Sequence, residues 1–277
     1  MLYVIPYFEL TFISVAGYQF ESWKLFWFFG RVIFLYVFFK EIKRLELSKK
    51  AALIIFLLNL FLINFFERLL FYFSHNYVLK DKASSLSDAF NVLSWGSSGR
   101  VYFGTIIGVF SAILIGSLIT KQWKNVWKYL DAGFLAQTAG TFIYRIGNVL
   151  WHSHMGKITD VPWGIVYKGQ IRHEVGLYEL ISLFVIFFIA WFLRKRIPKA
   201  GLLFTIILGL LSLSRFFTDF LRSTDLPNSN FHFQNGFTMN QIAYGVVFLI
   251  CLGLFFFLSK GQKEKNFQKD DEIKPII

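Results

Sequence analysis

Seven apolar segments of about twenty residues, separated by polar connections, constrain this chain more than any other feature. They run over 22–39, 51–73, 101–120, 128–150, 175–193, 201–221 and 239–259. Each is long enough, as a helix, to cross a hydrocarbon layer roughly 30 Å thick. Lipid offers the backbone no hydrogen bonds, so such segments span it as helices. The expected fold is an all-α integral membrane protein, a seven-helix transmembrane bundle. One membrane domain would cover residues 1–259, followed by a polar cytoplasmic tail over 260–277 that is expected to be disordered. The first segment fits least well, because it contains Lys24 and Arg31.

The composition agrees: 55% of the 277 residues are hydrophobic, 36 are phenylalanine and only 17% are charged. The net charge of +12 points away from nucleic acid, because the basic residues lie in short clusters between apolar segments. Lys40, Lys43, Arg44, Lys49 and Lys50 form one cluster, and Lys121, Lys124 and Lys128 another. Arg194, Lys195, Arg196 and Lys199 form a third, and Lys260, Lys263 and Lys265 a fourth. Basic clusters at every second connection place those connections in the cytoplasm. The N-terminus is then outside and the C-terminus inside. Residues 1–20 lack a basic n-region and a clear small-residue cleavage site, so no cleavable signal peptide is expected. The single cysteine, Cys251, sits in an apolar segment and reads as a small buried hydrophobe.

Ionisable residues inside the spans are costly in lipid and mark candidate sites. In Tyr144-Arg145-Ile146-Gly147-Asn148, Arg145 and Asn148 are three residues apart and share one helix face. Arginine presents a rigid fork of donors suited to phosphate, and Gly147 permits close backbone approach. Arg215, Asp219 and Arg222 form one charged stripe at i, i+4 and i+7 on the sixth span. Two arginines from different helices can clamp one anion. Glu67 and Arg68 in the second span are adjacent and so do not face each other; each needs a partner on another helix.

The longer connections, 74–100, 151–173 and 223–238, hold all five histidines: His75, His152, His154, His173 and His232. His152-Ser153-His154 reads as a general base or a solvated loop, because no further cysteine or carboxylate spacing supports a metal. Arg172-His173-Glu174 opens the fifth span, with Tyr178 and Glu179 one turn on. No phosphate-binding glycine loop, hydrolase elbow or zinc-protease motif is present. No metal and no cofactor is expected.

In this order the motifs resemble those of the prolipoprotein diacylglyceryl transferase family. Tyr144-Arg145-Ile146-Gly147-Asn148 is similar to G-R-[IL]-G-N-F. The match runs on through Gly156 to Asp160-Val161-Pro162-Trp163 at a D-x-P-[WF] position. Arg172 to Glu179 resembles R-H-P-S-Q-L-Y-E. Arg215 to Asp225 resembles R-x-x-x-E-F-x-R-x-P-D, and Thr238-Met239-Asn240-Gln241 resembles S-M-G-Q. Gly99, Tyr102, Gly104, Ile106, Ile107 and Gly108 fit the family's third span.

The resemblance implies a seven-helix membrane enzyme of the bacterial plasma (inner) membrane. Phosphatidylglycerol, or another anionic phospholipid, would be the donor. Its diacylglyceryl group would pass to the lipobox cysteine of a prolipoprotein signal peptide, releasing glycerol 1-phosphate. Arg145, Arg222, His152 and His154 are the candidate catalytic residues. Asn148, Gly147, Gly156, Arg172, His173, Tyr178 and Arg215 are the candidate substrate-binding residues.

The departures are specific. The family's third-span histidine falls on Phe103, the second asparagine of its N-F-x-N-x-E continuation on Trp151, and its glutamate on Ser153. The tyrosine of an N-terminal H-W-Y-G motif falls on Trp23. Proline, serine and glutamine of R-H-P-S-Q-L-Y-E are replaced by Glu174, Val175 and Gly176, and the proline of R-x-P-D by Thr224. Two other readings stay open: an inactive homologue that binds lipid or a partner protein, and a transporter or channel lined by charged spans.

Overall fold

The computed structural model describes residues 10–74, 101–223, 225 and 236–271. In chain order these carry β1 (Phe12–Val15), β2 (Tyr18–Glu21), α1 (Ser22–Arg44), α2 (Lys49–Ser74), α3 (Tyr102–Ile119) and α4 (Val126–Leu150). There follow β3 (Met155–Ile158), β4 (Ile165–Tyr167), β5 (Gln170–Glu174), α5 (Val175–Leu193), α6 (Leu202–Thr218) and α7 (Met239–Asp271). The chain is an all-α membrane protein: each of the seven expected segments coincides with a long helix. Of these, α2, α3, α5, α6 and α7 are long and apolar enough to cross a membrane. Charges set α1 and α4 apart, with Lys24 and Arg31 in one and Lys128, Asp131 and Arg145 in the other.

The chain forms two compact units, Met1–Val37 with Phe134–Ile277, and Phe38–Gly133. The second unit is built on a stripe of small residues. Gly104, Gly108, Ala112 and Gly116 recur every fourth position on α3, facing Ile55, Ile63 and Glu67 of α2. A Cβ at Gly108 would lie 2.6 Å from the Ile63 Cα, and one at Gly104 2.4 Å from the Glu67 Cα. Only missing side chains let these two backbones come so close, which is how membrane helices gain packing contacts. Glu67 accepts a hydrogen bond from the Thr105 hydroxyl of α3 at 2.5 Å, giving it the interhelical partner its sequence position requires. Arg68 is fully buried.

In the first unit α6 packs against α5 and α7, and Phe134 meets Phe204 edge to face at 4.8 Å. Gly30 of α1 and Gly140 of α4 make a similar close approach, a Cβ on the first lying 2.5 Å from the carbonyl oxygen of the second. Two small antiparallel sheets, β1-β2 and β3-β5-β4, lie in segments whose sequence reads as loop. Their strands are three to five residues long, too short for an alternating pattern to stand out. Ala16-Gly17 and Lys168-Gly169 are two-residue turns with positive φ at both positions, the primed geometry that suits strand twist.

Helix α7 continues to Asp271, into the stretch read as a disordered tail. Its Lys, Glu and Gln residues are good helix formers and extend a helix already started upstream. Its entry is a capping box: Thr238 Oγ1 accepts from the Gln241 amide at 3.1 Å, and Gln241 Oε1 accepts from the Thr238 amide at 2.8 Å.

Candidate functional site

The charged residues of the first unit converge on Glu179, in the second turn of α5 and 2% exposed. Arg145 of α4 stands 2.7 Å from Glu179 Oε2. Arg215 of α6 and Arg222 both donate to Oε1, the latter at 2.9 Å. Arg222 also places Nε 2.8 Å from Asp219 Oδ1, and Asp219 Oδ2 accepts from the Thr238 hydroxyl at the head of α7. Among the described residues, three guanidinium groups thus converge on two carboxylates in a largely water-excluded place. Charge-assisted hydrogen bonds are strong there, and an anionic ligand is the natural complement.

The chain's local geometry delivers these groups. Helix α6 ends at Thr218, residues 219–221 tighten into a 3-10 turn, and Arg222 is extended at φ −67°, ψ 145°. The expected single stripe of Arg215, Asp219 and Arg222 is therefore broken after Asp219. Arg222 reaches Glu179 from beyond the helix, beside an isolated antiparallel bridge to Gly156. A Cβ on Gly156 would lie 2.4 Å from the Leu221 carbonyl oxygen, so glycine is what lets that backbone approach. Gly147 has a similar structural duty, a Cβ there lying 2.9 Å from the Trp23 Cα and 2.8 Å from the Phe26 Cβ.

Asn148 is buried one turn beyond Arg145, and its carbonyl oxygen accepts from the Ser153 amide and hydroxyl at 3.2 and 3.3 Å. His152 lies in a left-handed turn at φ 48°, with Nδ1 2.8 Å from Glu174 Oε2. Both side chains are buried. His154, half-buried just before β3, feels Arg145, Glu179, Arg222 and Arg215. Burial first, and Arg145 next, hold its imidazole well below the usual histidine range, so it is neutral at pH 7. The structure therefore separates the two histidines: one is tied to Glu174, the other to the field of the arginine cluster.

Arg172 is engaged elsewhere. It forks onto Asp225, at 3.0 and 2.5 Å, and donates to the Gly156 carbonyl at 3.1 Å and to Gln170 Oε1 at 2.6 Å. The hydrogen bond to Asp225 raises the arginine, and the same bond lowers the aspartate. His173 and Tyr178 form a chain with Trp163: Trp163 Nε1 donates to the Tyr178 hydroxyl at 3.0 Å, which is 2.9 Å from His173 Nδ1. Burial lowers His173. Phe103 belongs to the other unit. His75, His232, Gly99 and Thr224 lie outside the described residues.

The sequence places Glu179 one turn into the fifth span and at the last letter of the R-H-P-S-Q-L-Y-E resemblance without giving it a role, yet it is the hub. The missed signal is a lone carboxylate one turn into an apolar span, where an ionisable residue is costly without a partner on another helix. Asp225 as the partner of Arg172, and Thr238 as the partner of Asp219, depend on pairings that no local pattern shows.

A multi-pass membrane protein with a buried arginine–carboxylate centre is the class that fold and site define. A family model described as prolipoprotein diacylglyceryl transferase matches residues 11–258. The chain belongs to the prolipoprotein diacylglyceryl transferase family. It is 36% identical over 179 residues to the phosphatidylglycerol–prolipoprotein diacylglyceryl transferase of Campylobacter hominis, covering 63% of this chain and 62% of that protein. It is 34% identical over 169 residues to the same-named protein of Campylobacter lari, with 61% of each chain covered. With that of Wolinella succinogenes it is 35% identical over 176 residues, again with 61% of each covered. The chain spans about three fifths of the length of these relatives.

Proposed function

We propose that this protein transfers the diacylglyceryl group of phosphatidylglycerol to the lipobox cysteine thiol of a prolipoprotein signal peptide, releasing glycerol 1-phosphate. The observation that carries this reading is the convergence of Arg145, Arg215 and Arg222 on the buried Glu179. Membership of the family supports it, and the names of the relatives supply the donor and the acceptor.

In this reading Arg145 and Arg222 hold the lipid phosphate. Glu179 keeps their forks oriented before the lipid arrives, so little reorganisation is needed as the reaction proceeds. Asn148 orients the headgroup from the same end of α4. The sulfur attacks the glyceryl carbon that carries the phosphate, and the carbon–oxygen bond breaks. The phosphate of the leaving glycerol phosphate gains negative charge, which the guanidinium groups stabilise. Arg215, bound to Glu179, adds to that field, while Arg172 with Asp225 and the Trp163–Tyr178–His173 chain shape the surrounding β-sheet and helix entry. The protein would sit in the bacterial inner membrane, N-terminus outside and C-terminus cytoplasmic, with residues 1–259 as one membrane domain and 260–277 as a cytoplasmic tail.

The test is transfer of labelled diacylglyceryl from phosphatidylglycerol to a lipobox peptide by the full chain in membranes. Label on the peptide cysteine supports the reading. Phosphatidylglycerol that binds without transfer contradicts it and favours an inactive lipid-binding homologue.

A further inference from the structure

We propose that Arg172 is a positioning residue for the arginine centre: its fork on Asp225 and its bond to the Gly156 carbonyl fasten the segment after α6 to β3 and β5, and so hold Arg222 against Glu179. The proposal rests on the transferase reading above and deepens it, giving Arg172 a duty other than contact with lipid. All of these residues belong to the first unit.

The donors of Arg172 are committed. A guanidinium carries five N–H groups, four of them on the two terminal nitrogens. Nη1 donates to the Gly156 carbonyl at 3.1 Å and to Asp225 Oδ1 at 3.0 Å. Nη2 donates to Asp225 Oδ2 at 2.5 Å and to Gln170 Oε1 at 2.6 Å. The remaining group, on Nε, is buried without a hydrogen-bond partner among the described residues. Every terminal donor is therefore taken by the protein itself, and the arginine acts through the groups it grips.

Arg222 needs support from outside its own helix. Helix α6 has ended at Thr218, and the Arg222 amide reaches back only to the Asp219 carbonyl, at 3.3 Å. Its extended backbone pairs with Gly156 through one isolated bridge. That bridge stands at the edge of the sheet, whose order is β3-β5-β4. An arginine side chain has much rotamer freedom to lose, so a drifting backbone would scatter its fork.

Arg172 supplies that support at two points. It sits in the middle of β5, paired with Ile165 of β4 and Ile158 of β3. From this central strand it grips Gly156, across the bridge from Arg222, and Asp225, three residues further along the chain. At most about 11 Å of chain separates Asp225 from Arg222. A Cβ on Gly156 would also lie 2.8 Å from the His173 Cβ, so the missing side chain lets strand and segment close on each other. Arg222 is thereby held before any ligand arrives, with Nη2 2.9 Å from Glu179 Oε1 and Nε 2.8 Å from Asp219 Oδ1. Displacing such a group by about 1 Å is enough to cost much of its effect.

The experiment uses the full chain in phosphatidylcholine nanodiscs titrated with phosphatidylglycerol, and reads both lipid affinity and labelled transfer to a lipobox peptide. The Asp225 side chain is 50% exposed, so Asp225→Asn should fold, which its melting midpoint checks. It should weaken phosphatidylglycerol affinity and lower kcat, each about tenfold, and leave KM for the peptide unchanged. A merely structural loss would reduce the active fraction and leave both affinities alone. Asp225→Glu, which keeps the carboxylate, should stay within about threefold of the unsubstituted chain. In a chain carrying Arg222→Lys, Asp225→Asn should add less than about twofold, because the group it positions is already gone. In a chain carrying Asn148→Ala it should cost its full factor of about ten. Arg172→Lys should match Asp225→Asn and add nothing to it, since lysine keeps the charge and loses the fork. An equal loss in the Arg222→Lys chain, no restoration by Asp225→Glu, or a further loss of lipid affinity when Arg172→Lys is added to Asp225→Asn overturns the proposal; the last result would mean that Arg172 meets lipid directly. An unsubstituted chain that binds phosphatidylglycerol and transfers nothing overturns the transferase reading instead, and the affinity measurements then decide the positioning role alone.

Discussion

Glu179 has an influence out of proportion to its size, because three guanidinium groups depend on one carboxylate. Replacing it with glutamine keeps its shape and removes the charge that the buried Arg145 and Arg215 and the half-buried Arg222 converge on. Removing one partner of a buried pair costs about 3–5 kcal/mol, so Glu179→Gln should lower the unfolding midpoint in detergent markedly. An unchanged midpoint would contradict the hub. Arg145→Lys should be milder for stability and severe for turnover, because lysine keeps the charge and loses the two-pronged fork. His154 gives a pH signature. Its folded value lies well below the ordinary 6.5, so between the two values the unfolded chain binds the extra proton. That contribution to stability is complete above pH 6.5 and is lost as pH falls below it. Melting curves recorded from neutral to mildly acidic pH should fall less steeply for His154→Gln than for the unsubstituted chain. Equal slopes would mean that His154 does not carry this dependence.

At the scale of elements, close helix contacts depend on absent side chains. Gly108→Ala would drive a Cβ to within 2.6 Å of the Ile63 Cα and should destabilise the chain by about 1–3 kcal/mol. Gly253→Ala on α7 meets nothing within 4 Å and should be neutral or stabilising by up to about 1 kcal/mol, through helix propensity. Thermal melts of the two variants check the contrast, and equal effects would contradict the stripe. The helices themselves were legible in the sequence, because lipid imposes their length and leaves hydropathy as the signal. The arginines were legible too, as expensive residues in apolar segments. Their partner was not, because Glu179 is 36 and 43 residues from Arg215 and Arg222, and only packing joins them. The small sheets escaped notice because their strands are shorter than any period. The i, i+4, i+7 spacing does not reveal that the helix gives way to a 3-10 turn before Arg222. His152 and His154 looked equivalent in sequence, and only the Glu174 contact tells them apart.

At the scale of the whole molecule, membership of a transferase family, spans that suit a membrane and a buried arginine–carboxylate centre point the same way. The alternation of basic connections predicts that residue 265 and the loop over 151–160 label from opposite sides of the membrane in cysteine-accessibility experiments. Labelling from one side would reject the proposed topology. The central claim is that the Glu179-centred arginines move a diacylglyceryl group. The measurement that tests it most directly is the rate of labelled transfer from phosphatidylglycerol to a lipobox peptide, by the unsubstituted chain and by Arg145→Lys in the same membranes. The account predicts peptide-bound label from the first and a rate at least about 100-fold lower from the second, with the variant still folded. Equal rates, or no label from either, would contradict it.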